Sequence, residues 1–141
     1  MTNKLEGQVA LVSGSGRGIG RAIALAYASA GAQVVVTARS QDQIDSVCGE
    51  IGAAGGTAIA VRADVTNRAD VVALIAQTLE AFGRIDIVIN NTSASASVEW
   101  TVEAWRNSFE VDLMGAVAMN ETALPWLEAS STARGPLSVV G

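Results

Sequence analysis

The sequence predicts a doubly wound α/β domain built on a parallel sheet. Three observations lead there. Short β-branched runs alternate with longer helical stretches along the chain, a glycine-rich turn follows the first run at once, and half of the 141 residues are hydrophobic. Strands joined through helices need crossovers, and such crossovers set the strands parallel. No linker, internal repeat or low-complexity tract interrupts the pattern, so residues 1–141 read as one domain with an ample core.

The elements follow in order. Residues 8–13 (QVALVS) are an apolar run bounded by turn residues, the mark of a buried strand. Residues 17–30 are alanine-rich and stop at Gly31, which gives a helix. Residues 33–38 (QVVVTA) are β-branched and form a second strand. Residues 41–54 form a second helix closed by Gly55-Gly56, and residues 57–62 (TAIAVR) a third strand. Residues 64–67 read as a loop and helix cap. Val71, Leu74, Ile75, Leu79 and Phe82 then share one helical stripe before Gly83. Residues 84–90 (RIDIVIN) are a fourth strand, and the small, hydroxylated residues 92–97 a loop. Trp105, Phe109, Leu113, Ala116, Val117, Leu124 and Leu127 set the spacing of a long helix over about residues 101–128, with Pro125 ending or bending it. Residues 130–135 are a polar loop, and residues 137–140 begin a fifth strand.

Composition narrows the function. Net charge is -5 and the nine basic residues are scattered, which argues against a nucleic-acid groove. No apolar run approaches the ~20 residues that a membrane span needs. Residues 1–7 are polar, contain Lys4 and Glu6, and do not resemble a secretion signal. The single cysteine, Cys48, excludes an internal disulfide and fits a cytoplasmic location; its amphipathic surroundings predict a buried, unreactive thiol. There is no histidine, one lysine and one tyrosine. Metal sites built on His/Cys clusters and histidine-activated nucleophiles are therefore ruled out.

The turn after the first strand reads Ser13-Gly14-Ser15-Gly16-Arg17-Gly18-Ile19-Gly20. A strand that turns straight into a helix brings backbone N–H groups and the positive helix end together, which suits a pyrophosphate. The P-loop pattern fails because no Gly-Lys-Ser/Thr follows, and Gly-x-Gly-x-x-Gly fails at Ile19. Gly-x-x-x-Gly-x-Gly fits, through Gly14, Gly18 and Gly20.

Three further stretches accompany this loop: Ala63-Asp64-Val65-Thr66, Asn90-Asn91, and Val111-Asp112-Leu113-Met114-Gly115. In this order and spacing the chain resembles the N-terminal part of a short-chain dehydrogenase/reductase, of the kind that includes 3-oxoacyl carrier-protein reductases. The resemblance implies a Rossmann-like sheet of order 3-2-1-4-5, an oxidoreductase acting on carbonyls or alcohols, and a nicotinamide dinucleotide as cofactor. Within the loop, Gly14, Ser15, Arg17, Gly18, Ile19 and Gly20 are the candidate cofactor-binding residues. The resemblance assigns Asp64 to the adenine amino group and Val65 to the ring's side, and the Asn90 backbone is expected to face the cofactor. Read without the family, Asp64 could equally be a turn or cap residue, and Asn90 a brace between strands.

The second strand ends in Thr37-Ala38-Arg39, where an acidic residue would accept hydrogen bonds from the ribose of NAD. A guanidinium there forks onto a 2′-phosphate instead, and Arg17 can approach the same group from the loop. Two arginines without a competing carboxylate favour NADP(H) over NAD(H).

Carbonyl reduction by hydride needs an acid near the substrate oxygen. The family uses a tyrosine, a lysine four residues later, a serine after the fifth strand and an asparagine in the long helix. Here Tyr27 has Gly31 four residues on, Lys4 belongs to no such pair, Ser138 lies inside the fifth strand, and Asp112 holds the asparagine's place. The carboxylate accepts a proton but lacks the amide's donor; a solvated helix face is its other reading. The pair Thr92-Ser93 also replaces the family's Ala-Gly, which restricts the backbone. No catalytic residue is therefore assigned, and the chain reads as a nucleotide-binding portion truncated before the family's last strands and helices. Leu137, Val139 and Val140 are then expected at an open sheet edge, and the long helix is left uncovered. Both predict a homo-oligomer, and a non-catalytic, self-associating structural module is the alternative function.

Overall fold

Val9, Ala10, Leu11 and Val12 are all buried because their strand, β1 (Val9–Ser13), runs through the middle of the sheet and is covered on both faces. The computed structural model describes residues 3–94, 99–130 and 139–140. Its elements are β1, α1 (Gly18–Ser29), β2 (Gln33–Ala38), α2 (Gln41–Ala53), β3 (Thr57–Arg62), α3 (Arg68–Phe82), β4 (Ile87–Ile89), α4 (Val102–Ser108), a π-helical segment (Phe109–Met114), α5 (Gly115–Glu128) and β5 (Val139–Val140). The strands lie parallel in the order β3-β2-β1-β4-β5. This is the doubly wound arrangement that the alternation and the family resemblance imply.

Strand pleating divides the core into two layers. Leu11, Val35, Val61 and Val88 point to one face, where Val71, Leu74 and Ile75 of α3 and Met119, Ala123 and Leu127 of α5 cover them. Ala10, Val12, Val34, Val36, Ile87 and Ile89 point to the other, beneath Ala24 of α1 and Ile44, Val47 and Ile51 of α2. Cys48 is half-buried against this second layer rather than fully buried. Burial first, then the Asp45 carboxylate, pushes its thiol pKa up, which suits an inert side chain.

Two elements depart from expectation. The fourth strand is shorter than residues 84–90 because Arg84 folds back onto Asp86, donating at 2.9 and 2.6 Å, while the Asp86 carboxylate takes the Val9 N–H at 2.8 Å. Regular pairing begins only at Ala10↔Ile87. The long helix exists but carries two apolar stripes. Gly115, Met119, Ala123 and Leu127 face the sheet. Of the stripe read from the sequence, Leu127 is thus buried and Ala116 half-buried, while Trp105, Phe109, Leu113, Val117 and Leu124 point outward. Pro125 lies within α5 without ending it, one turn from the terminus and on its exposed side.

The polar loop at residues 130–135 and the side chains of Leu137, Val139 and Val140 lie outside the described residues, apart from Ser130. Backbone pairing places β5 next to β4, through Val88↔Val139 and Ile89↔Val140.

Candidate functional site

The site is built where β1 turns into α1. Gly14 and Gly18 hold φ of +62° and +58°, conformations that a side chain disfavours. Gly20 answers a different need. A Cβ added there would overlap the Gly14 carbonyl oxygen and Asn91 Nδ2, so helix and loop approach to backbone contact. Gly14 also lies against the start of the next loop, since its added Cβ would meet Thr92 N and Cα at 3.1 Å.

Arg17 is the N-cap residue of α1, with extended backbone and no side-chain hydrogen bond to the helix; the first turn contains no acidic residue. By contrast Ser40, Asn67 and Thr101 cap α2, α3 and α4 with their side chains. The opening N–H groups of any helix lack intrahelical partners and carry its positive end. Among these four helices α1 alone leaves that end without a side-chain cap. Ile19 stands beside it 75% exposed, an unusual setting for a large apolar side chain.

Ser15 is buried and fully engaged within the fold. Its N–H donates to Thr37 O at 3.1 Å, and its hydroxyl donates to Val12 O at 2.7 Å while accepting from Thr37 N at 3.0 Å. Its side chain thus shapes the loop rather than facing outward. These bonds tie the loop to the end of β2, where an added Cβ on Gly16 would lie 3.5 Å from Ala38 Cβ. Arg17 and Arg39, the neighbours of these two residues, are both exposed, and neither takes part in a salt bridge among the described residues. Buried Thr37 Oγ1 has no hydrogen-bond partner among them either.

Asp64 follows β3. Its Oδ1 accepts from the Thr66 hydroxyl at 2.7 Å and the Thr66 N–H at 2.9 Å, forming a tight turn. The Thr66 hydroxyl bond holds the carboxyl below its ordinary pKa range; partial burial opposes this, while the Thr66 N–H and the charges of Arg39 and Arg62 add to it. The helix cap nearby is Asn67, whose side chain accepts from Asp70 N. Val65 is buried, and a Cβ added to Gly115 would meet its Cγ2 at 2.7 Å.

Asn90 follows β4, and its side-chain amide donates to Asn120 Oδ1 at 2.8 Å, tying the strand end to α5 rather than to a neighbouring strand. Asn91, part of the Asn90-Asn91 stretch but given no role of its own from the sequence, donates from Nδ2 to Gly14 O at 3.1 Å. Ser13 Oγ accepts from the N–H groups of Asn91 and Thr92 at 3.0 and 3.2 Å. Side-chain bonds set by tertiary approach leave no periodic signal in a sequence, which is why it discloses no role for Ser13, Asn91 or Asn120. Thr92 and Ser93 fit here without positive φ, so the missing glycine strains nothing. Asp112, in the π segment, accepts from Ala94 N at 2.7 Å and so anchors the loop after β4. An acceptor-only side chain is sufficient for that bond.

No described residue supplies the acid pair of the reduction. Tyr27 is packed in α1 against the second core layer, and Lys4 is exposed near the chain start. Ser138 lies outside the described residues.

The sequence profile of the short chain dehydrogenases matches residues 8–135. The chain belongs to that family. An oxidoreductase of Methylorubrum extorquens is 42% identical over 125 residues, 86% of this short-chain dehydrogenase and 50% of the relative. A 3-oxoacyl-[acyl-carrier-protein] reductase of Synechocystis is 45% identical over 115 residues, 79% of this chain and 47% of the relative. The solved structure of a 7 alpha-hydroxysteroid dehydrogenase, complexed with NADH and 7-oxo glycochenodeoxycholic acid, superposes with a TM-score of 0.84 at 30% identity. It covers 91% of this chain and 51% of that one. This short-chain dehydrogenase thus spans about half the length of the curated relatives it matches. No described helix is long and apolar enough to cross a membrane.

Proposed function

We propose that this chain binds NADP(H) and forms the nucleotide-binding half of a carbonyl or alcohol oxidoreductase, without turning substrate over by itself. One observation carries the reading: the uncapped start of α1 opens beside Arg17 and Arg39, and no carboxylate ends β2. The residues fit a dinucleotide, because a Cβ at Gly20 would block the backbone approach that the loop makes. Gly14, Ser15, Gly18, Ile19 and Gly20 shape the cradle for the pyrophosphate, and Arg17 and Arg39 attract the 2′-phosphate. Asp64, Val65 and Asn90 line the remaining cofactor path. When bound, the nicotinamide would supply or accept hydride. The steroid dehydrogenase relative is complexed with NADH, so the preference for the phosphorylated form rests on Arg17 and Arg39.

Titrating the 141-residue protein with NADPH and NADH tests this directly. Tighter binding of NADPH, with no oxidation of it in the presence of aldehydes and ketones, is the expected result. Equal affinity, or turnover by this polypeptide alone, would overturn the corresponding part of the reading.

A second reading concerns assembly with another copy of this chain. Trp100, Val102, Trp105 and Phe109 are 82%, 69%, 61% and 52% exposed along one outward face, bordered by Arg106 and Glu110. Pairing two such faces antiparallel about Ser108 sets each Arg106 against the other copy's Glu110 and covers the aromatic rings. The self-complementary charges favour a second copy as the occupant.

A further inference from the structure

Arg62 ends β3, on the sheet edge away from the glycine loop, and sequence reading gave it no role. Val61 and Ala63 on either side are buried, so Arg62 and Asp64, two residues apart, project to the opposite face. In register, Arg62 lies beside Ala38. Its Nε donates to the carbonyl oxygen of Arg39 at 2.9 Å. Arg21, Arg68 and Arg84 are each matched to a carboxylate. Arg62, like Arg39, takes part in no salt bridge among the described residues, so its guanidinium keeps donors to spare.

We infer that Arg62 is a further specificity residue of the adenosine site, where it fixes the Arg39 backbone and adds a positive charge to those of Arg17 and Arg39 for a 2′-phosphate. The inference rests on the NADP(H) reading above and extends it. Arg39 follows the last residue of β2, and without a bond to its carbonyl its position would depend on the turn into α2 alone. The Arg62 grip makes the end of β2 rigid where selectivity is decided. The charges of both arginines act on Asp64, whose Oδ1 is already held by Thr66, and Asp70 Oδ2 accepts from the Asp64 N–H at 3.0 Å beside it. Neither carboxylate forms an ion pair with Arg39 or Arg62 among the described residues, so both guanidinium groups remain available to a dianionic phosphate, which gains more from them than a ribose hydroxyl does.

The test uses 2′,5′-ADP and 5′-AMP, which probe this half of the site without the nicotinamide. Calorimetric titration of the full 141-residue chain is compared with its Arg62→Ala and Arg62→Gln variants. The variants should weaken 2′,5′-ADP by about fivefold, less at high salt, and leave 5′-AMP within about twofold. Their melting temperatures should match the parent, because Arg62 is exposed. If the parent prefers 2′,5′-ADP and the variants keep that preference, Arg62 has no such role while the NADP(H) reading stands. Equal weakening of both nucleotides would reduce Arg62 to a structural brace and also overturn the inference. A parent that shows no preference, or binds neither compound, overturns both.

Discussion

An alanine at position 20 would carry its methyl group into the Gly14 carbonyl and the Asn91 amide. Neither can retreat, because Asn91 is itself bonded to Gly14 O and its N–H to Ser13. Gly20→Ala should therefore lower stability by about 2 kcal/mol and abolish nucleotide binding together with it. Gly18→Ala faces open space and only the penalty of a positive φ, about 1 kcal/mol. Urea melts of the two variants separate these costs, and equal losses would sink the distinction. The glycine spacing was legible in the sequence, but the reason for each glycine was not: turning at Gly18 and contact at Gly20 look the same as letters. Ser15 shows the same limit, since its hydroxyl serves Val12 and Thr37, partners set by tertiary approach.

The strands and the first three helices were readable because their apolar residues repeat with the period of the element and each has one buried face. The segment from α4 through the π turn to α5 was harder. Its sequence holds two apolar stripes, and periodicity cannot tell which of them meets the sheet. Met119, Ala123 and Leu127 do, and the larger side chains of Trp105 and Phe109 are left outside. If a second copy covers them, Trp105→Glu should shift the protein to a smaller species in sedimentation velocity. A parent that stays monomeric at every concentration would dispose of the assembly reading. The π segment also places Asp112 against Ala94 N, a contact that the spacing of residues alone does not disclose.

Asp86 joins distant parts of the whole molecule, bonding Val9 N at the start of β1, Arg84 before β4 and Ser130 beyond α5. Burial pushes its carboxyl pKa up, but the bonds from Arg84, Ser130 and Val9 outweigh this and hold it below the ordinary value. A depressed folded pKa means that the stabilisation is present above the unfolded value near pH ~4 and is lost as pH falls through the folded value. Asp86→Asn should cost about 2 kcal/mol at neutral pH, and the gap to the parent should narrow in acid. A gap independent of pH would show that the carboxylate's charge is not what holds these parts together. The bare start of α1 bears on the molecule in another way. Side-chain caps contribute about 1 kcal/mol where Ser40, Asn67 and Thr101 provide them, and α1 forgoes that share. An anion arriving there completes the helix as well as occupying a site, so ligand and fold are linked by mass action. A hundredfold excess over the dissociation constant adds about 2.7 kcal/mol to the folded state, and the nucleotide becomes in effect a missing piece of the protein's own architecture.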